Sequence, residues 1–259
     1  MSDIELIFLG TGTSAGVPMI GCHCQVCSSA DPHDKRTRPS VVISQGHTRV
    51  LVDTSPELRL QAVANGIDMV DAVVITHAHA DHIMGLDDLR RFNAISGRPL
   101  DVWAEPAAQT SLSRCFGYAF AEPLPELKLF RPHLVSRAII GEFQIGPMTL
   151  KPIRLFHGEL PVLGFRVGRL AYCTDVNRIP PESMAMLQDL DVLVLDALQH
   201  KPHSTHFSLK QAMEIVRLVK PRQTRFTHIA HALGQEVTNK TLPPDAQLAY
   251  DGERITARG

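Results

Sequence analysis

One run constrains this chain more than any other feature of its 259 residues: Thr76-His77-Ala78-His79-Ala80-Asp81-His82. It follows Ala72-Val73-Val74-Ile75, an uninterrupted apolar stretch of the kind a strand shows when both its faces are covered. A helical pattern comes next, with Ile83, Leu86, Leu89 and Phe92 on one side and Asp87, Asp88, Arg90 and Arg91 on the other. The run therefore predicts a loop at the C-terminal end of a buried strand, where a rigid scaffold can aim side chains into a cleft. His77 and His79 alternate by two and point the same way in extended backbone, while Asp81 and His82 enter the first helical turn. A carboxylate is favoured there by the helix N-terminal partial charge. Four ligand-type side chains within six residues do not converge easily on one ion, so the spacing favours two neighbouring ions.

Composition narrows the field without deciding it. A chain of this length can bury a substantial core, and 44% hydrophobic with 20% charged residues is ordinary for a soluble globular protein. The net charge of -1 provides no general pull toward nucleic acid or anionic lipid. No apolar stretch approaches the length of a membrane span. Met1-Ser2-Asp3-Ile4-Glu5 carries acids where a secretory signal needs basic residues, so a cytoplasmic location is expected. The histidine count is high, 13 against 3 tyrosines and 1 tryptophan, and neutral imidazole is the commonest metal ligand. Three of the 5 cysteines cluster at 22, 24 and 27, a spacing suited to metal rather than to disulfides. Cys115 and Cys173 lie among apolar residues and read as core thiols.

Ile4–Leu9 reads as a strand entering the flexible loop Gly10-Thr11-Gly12-Thr13-Ser14-Ala15-Gly16. The three glycines do not make a dinucleotide fingerprint, because Pro18 and Gly21-Cys22 stand where a helix would have to begin. The loop is expected at the rim of the metal cleft instead. A hairpin turning at Gly46 follows, then a helix over Pro56–Asn65 and another around Gln109–Phe120. Residues 121–137, rich in proline, read as a loop or surface excursion. Strands are expected between Glu142 and Val176 and over Val192–Leu195. Helices are expected over Pro181–Leu190 and Ser208–Val219, the latter capped by Ser208. Phe226-Thr227-His228 ends a short strand, and the tail reads as a hairpin around Tyr250-Asp251-Gly252. Two successive halves of strands with helices predict one domain over residues 1–259, two packed sheets with helices outside.

The histidine run resembles the signature of the metallo-β-lactamase superfamily. Asp53 matches the aspartate that supports the histidine loop in that family, and His157, Asp175 and His228 match its remaining ligands in order. The resemblance implies an α/β fold, an αββα four-layer sandwich of two mixed β-sheets with helices on the outer faces. It also implies that His77, His79 and His157 bind one divalent ion, that Asp81, His82 and His228 bind a second, and that Asp175 is shared. Such a pair activates a hydroxide for attack. Nitrogen ligands with carboxylates suit zinc, and manganese or iron is compatible with the same set.

Cys22, Cys24 and Cys27 supply three thiolates, and a closed structural zinc needs four ligands. His231, three residues beyond His228, is the favoured fourth, with His23 the local alternative; the element would occupy residues 21–38. Together with Gly10-Thr11-Gly12-Thr13-Ser14, this arrangement resembles the PhnP-type cyclic phosphodiesterases of the carbon–phosphorus lyase pathway. That family places a general acid in the stretch corresponding to 200–209. His206, just before Phe207-Ser208-Leu209, fits best, and His203 is the second choice. Asp81 is a further catalytic candidate through its place in the second metal set.

The resulting expectation is a phosphoric diester hydrolase acting on small cyclic or nucleotide-like phosphodiesters. Rival readings are a tRNA 3′-processing endonuclease, a thioester or lactone hydrolase, and a non-catalytic metal-binding scaffold. The near-neutral charge and the cysteine element speak against a nucleic-acid substrate. No membrane partner is expected, and a homodimer is left open.

Overall fold

Strand formation follows the apolar pattern. The computed structural model describes residues 2–122 and 130–259. The first half runs β1 (Ile4–Gly10), β2 (Ser40–Gln45), β3 (Thr48–Val52), α1 (Leu58–Asn65), β4 (Ala72–Val74) and α2 (Ala80–Ile83). It continues through α3 (Arg90–Ser96), β5 (Leu100–Ala104), α4 (Pro106–Phe120) and β6 (Leu134–Ala138). The second half runs β7 (Phe143–Ile145), β8 (Met148–His157), β9 (Leu160–Val167), β10 (Leu170–Cys173), α5 (Pro181–Ala185) and β11 (Val192–Asp196). It ends with α6 (Leu209–Val219), β12 (Gln223–Thr227), α7 (Gln235–Asn239), β13 (Ala246–Leu248) and β14 (Arg254–Ala257).

Among the described residues these strands form two seven-stranded sheets, ordered β14-β1-β2-β3-β4-β5-β6 and β13-β12-β11-β10-β9-β8-β7. Both are mixed. In the first, β14, β1, β2 and β3 pair antiparallel and β3 to β6 pair parallel. In the second, β10 to β13 pair parallel and β7 to β10 antiparallel. The sheets face each other across a core that includes Phe8, Val52, Val74, Phe165, Tyr172 and Val194. A second apolar layer seals α1, α3 and α4 onto the first sheet, through residues such as Leu58, Phe92 and Leu112. A third seals the helices of the other half onto the second sheet, through Leu187, Ala212 and Leu233. The result is the expected αββα sandwich. Each fully buried large side chain contributes roughly 1.5–3 kcal/mol.

Several expectations are corrected. The tail is no hairpin: β13 extends the second sheet, whereas β14 crosses back to pair antiparallel with β1 in the first. Leu134–Ala138, assigned to a surface excursion, is the edge strand β6; residues 123–129 of that excursion lie outside the described part. The helix expected over Pro181–Leu190 stops at Ala185, and that expected from Pro56 starts at Leu58. The helix around Gln109–Phe120 begins earlier, at Pro106, a position where the missing proline N–H is harmless. The helix after the histidine run is broken into α2, a 3₁₀ turn over Leu86–Leu89, and α3. Its apolar residues Ile83, Leu86, Leu89 and Phe92 are buried nonetheless. Gly85, at the break, lets the Ser55 backbone approach closely, since a Cβ there would fall 1.9 Å from the Ser55 carbonyl oxygen. Cys173 is buried as expected, but Cys115 is exposed on α4. No helix among the described residues is long and apolar enough to cross a membrane.

Candidate metal centre

The chemistry-bearing residues gather where the parallel strands of both sheets end. Asp53 follows β3, the 76–82 loop follows β4, Asp175 lies two residues past β10, Asp196 ends β11, and His228 follows β12. This is the edge at which open α/β sheets expose their side chains to ligands. His157 joins them from the last residue of β8. A hydrogen bond from Leu163 N–H to the Thr76 carbonyl, 3.1 Å, links the histidine loop to the second sheet. Asp53, Asp175 and His228 all adopt left-handed backbone, with φ of 63°, 53° and 57°. Non-glycine residues rarely do so, and such strain concentrates at functional sites. Asp175 and His228 thereby reach the ligand cluster, and Asp53 reaches Thr76 and His82 behind it.

Asp81, His82, Asp175 and His228 bring ligand atoms within 4.8 Å of one another. His82 Nε2 lies 3.2 Å from Asp175 Oδ2 and 3.5 Å from Asp81 Oδ2. His228 Nε2 lies 3.2 Å from Asp175 Oδ1 and 3.7 Å from Asp81 Oδ2. Both Nε2 atoms are buried without a hydrogen-bond partner. Ligands held at about 2.0–2.2 Å from a tetrahedral ion are separated by ~3.4 Å, so this set fits a divalent cation. His77, His79 and His157 form the adjoining wall. His77 Nε2 is 3.0 Å from His79 Nδ1, and the His157 ring centre is 5.8 Å and 5.2 Å from those of His77 and His79.

Electrostatics agree with cation binding. Burial alone would raise the Asp175 carboxyl, but His228 and His82 outweigh it and hold it well below the usual carboxylate range. Asp81 behaves the same way: against burial, the neighbouring imidazoles of His228 and His82 hold it at about 2. Burial disfavours charge on His82, yet Asp175 and Asp53 push its pKa well above the usual imidazole value. The pocket thus favours positive charge between its carboxylates. Burial, reinforced by His82, keeps His77 well below its ordinary value and therefore neutral, the form that ligates.

Supporting contacts fix ring orientation. Asp53 is fully buried; it accepts from Thr76 N–H and Thr76 Oγ1 at 2.8 Å each, and from His82 Nδ1 at 2.7 Å. His157 Nδ1 donates to the Thr205 carbonyl at 2.8 Å, which leaves Nε2 for the cleft.

Of the histidines in the 200–209 stretch, His206 is the one held in place. Its Nδ1 lies 2.6 Å from Asp196 Oδ2, and its ring stacks on His228 with centroids 4.5 Å apart. A ring nitrogen of His206 also falls within 4.8 Å of ligand atoms of His157 and Asp175. His203 is exposed, sits 5.3 Å from His206 between ring centres, and bonds within its own loop to Thr205. The sequence reading missed Asp196. Its signal was the one that marked Asp53, an acid closing an otherwise apolar strand.

The cysteine element closes as a separate cluster. Cys22, Cys24 and Cys27 Sγ lie 3.1, 3.3 and 3.5 Å from His231 Nδ1, close to the ~3.5 Å expected between sulfur and nitrogen ligands of one zinc. His23 is exposed and outside the cluster. The 10–16 loop packs beside both sites, with Thr13 N–H donating to the Ile229 carbonyl at 3.2 Å and Ile229 N–H to the Thr11 carbonyl at 2.9 Å.

Comparison with known proteins gives four findings. A Beta-lactamase superfamily domain model matches residues 48–229, a span that contains every residue of the histidine–aspartate centre. An octanoyltransferase of Porphyromonas gingivalis is 39% identical over 254 residues, covering 96% of this chain; the chain spans 51% of that protein's length. Coenzyme PQQ synthesis protein B of Methylorubrum extorquens is 33% identical over 227 residues, covering 74% of this chain and 72% of that protein. Among solved structures, a diphosphatase from the PhnP family superposes with a TM-score of 0.91 at 42% identity, covering 98% of this chain and 97% of the other.

Proposed function

The chain belongs to the metallo-β-lactamase superfamily, and from that premise we propose that it is a metal-dependent phosphodiesterase acting on small cyclic or nucleotide-like phosphodiesters. One observation carries the reading: an aspartate-supported histidine, His206 on Asp196, stands directly against the cation-binding cluster. Expulsion of an alkoxide from phosphorus needs a proton, whereas a thiolate leaves without one. The 42% identity to a PhnP-family protein over nearly the full chain supports the same direction.

When bound, two divalent cations, zinc or manganese with iron compatible, would supply Lewis-acid polarisation of a phosphate oxygen and a water of lowered pKa. His77, His79 and His157 would hold one and Asp81, His82 and His228 the other, with Asp175 between them. In this reading Asp81 is a ligand rather than a proton carrier. Asp53 keeps the His82 proton on Nδ1, so that Nε2 faces the cleft. Asp196 accepts from His206 Nδ1 and so sets that ring's tautomer; the Nε2 proton of the imidazolium is then the one given to the departing oxygen. A further zinc on Cys22, Cys24, Cys27 and His231 would staple the 21–38 element to the loop that also carries His228.

A second reading is hydrolysis of a diphosphate linkage, favoured by the activity in the name of the 42% identical protein. The two separate through His206. A phosphate monoester leaves readily without protonation, since its second ionisation lies near pH 6. In H206A, hydrolysis of a 2′,3′-cyclic nucleotide should therefore fall about 100-fold or more, while cleavage of a diphosphate-linked nucleotide should change little. The protein should be loaded with zinc or manganese and assayed on both, alongside a thioester, a lactone and a precursor tRNA. Turnover of the thioester or lactone with no cleavage of either phosphate class would refute the proposal.

A further inference from the structure

The four residues Asp175–Arg178 touch every part of the centre that lies on the second sheet. Asp175 faces His82 and His228. Val176 N–H donates to Asp196 Oδ2 at 2.9 Å, on the same oxygen that holds His206, and the Val176 carbonyl accepts from Phe207 N–H at 2.8 Å. Asn177 N–H donates to the Phe156 carbonyl at 2.9 Å, one residue before His157. The Asn177 side chain then spans two loops. Its Oδ1 accepts from Gly158 N–H at 2.8 Å, and its Nδ2 donates to the Ser204 carbonyl at 2.7 Å.

From Pro202 to Thr205, two hydrogen bonds to the rest of the described molecule are present: that from Asn177 to Ser204, and that from His157 to the Thr205 carbonyl. The loops they join are in close approach. Gly158 has a φ of 63°, and a Cβ there would come within 3.0 Å of Thr205 Cγ2. The His157 and His206 rings meet with centroids 4.5 Å apart. Loop backbone with so few ties opens at small free-energy cost unless side chains hold it. A primary amide suits this position because it accepts on one side and donates on the other. A carboxylate keeps the acceptor for Gly158 but faces the Ser204 carbonyl with no donor.

We propose that Asn177 is a positioning residue: its amide clamps the 202–205 loop to the His157 turn and thereby sets the reach of His206 toward the leaving group. It touches neither substrate nor cation and acts through the two loops it joins. The inference rests on the reading of His206 as the proton donor, and the test separates the two.

The variants are N177D and N177A in the metal-loaded enzyme, compared with H206A on a 2′,3′-cyclic nucleotide and on bis(p-nitrophenyl) phosphate, whose nitrophenolate leaves without a proton. For both Asn177 variants kcat on the cyclic nucleotide should fall about 10- to 100-fold, the penalty of a misplaced catalytic group. At saturating metal, KM and turnover of the nitrophenyl ester should stay within about threefold of the parent, because Asn177 itself holds no cation and that leaving group needs no proton. Deuterium uptake in a peptide covering 200–207 should rise in both variants while the strands stay protected. Equal loss on both substrates would mark a merely structural residue, and unchanged uptake would overturn the clamp whatever the kinetics. If H206A itself shows no leaving-group dependence, the proton-donor reading fails, and the uptake measurement still decides the clamp.

Discussion

Replacing Asp53 by Asn removes one charge and changes nothing in shape, yet it should weaken metal binding. The carboxylate accepts three hydrogen bonds while fully buried, two from Thr76 and one from His82 Nδ1. An amide can satisfy only part of this set. With its oxygen toward Thr76 N–H, the NH2 group faces His82 Nδ1, and the imidazole must move its proton to Nε2. That atom then cannot ligate, although it is the one placed 3.2 Å from Asp175. With the amide reversed, its NH2 meets the Thr76 N–H, a buried donor–donor contact worth about 1–3 kcal/mol. Either way the penalty falls on the state in which His82 binds a cation. Loss of such a supporting partner typically lowers metal affinity by about 10- to 100-fold, equivalent to ~1.4–2.8 kcal/mol. The assay is competition between D53N and a coloured chelator for zinc and for manganese, with the metal-free fold checked by denaturant melting. A folded D53N that binds both ions with parental affinity would show that the tautomer argument is wrong.

Two further outcomes follow from other parts of the molecule. H231A should lose one equivalent of zinc and leave the ions of the histidine–aspartate centre in place, which metal analysis of dialysed protein measures; unchanged zinc would exclude His231 as the fourth ligand. Asp191 joins the sheets by accepting from Arg258, beyond β14, at 2.6 and 2.7 Å and from Arg169, before β10, at 3.2 Å. Hydrogen bonds from Arg258 outweigh burial and hold its carboxyl well below the ordinary value of 3.8. A depressed carboxylate stabilises the fold above its unfolded pKa and loses that contribution as pH falls through the folded one. D191N should therefore lower Tm at pH 7, by about 2–4 °C if the partly exposed arginines contribute ~1 kcal/mol. The gap should narrow below about pH 4, and a gap that widens with acid would reverse the sign.

How much was legible in advance differs from element to element. The run from His77 to His82 and the apolar strand before it declare themselves locally, because alternation and burial are properties of neighbouring residues. Asp53, Asp175 and His228 follow from the resemblance to the metallo-β-lactamase signature, which orders them along the chain, but their left-handed backbone does not. Nothing in a non-glycine residue announces that conformation, which long-range packing imposes at the strand ends. The same limit explains the tail. The pattern at 246–257 encodes two short strands equally well whether they pair with each other or, as they do, with different sheets. Of the histidines between 200 and 206 the sequence ranks His206 first by its place before Phe207-Ser208-Leu209, but its contact with the buried Asp196 at the end of β11 is visible only in the fold.

The sequence by itself determined the family, since the run that marks it, His77 to His82, lies within six residues. Tertiary structure decided which loops meet, and with them which side chains Asp196, Asn177 and His231 stand against. Those contacts depend on distances of about 3 Å between residues far apart in the chain, set by the packing of two sheets that no local pattern records.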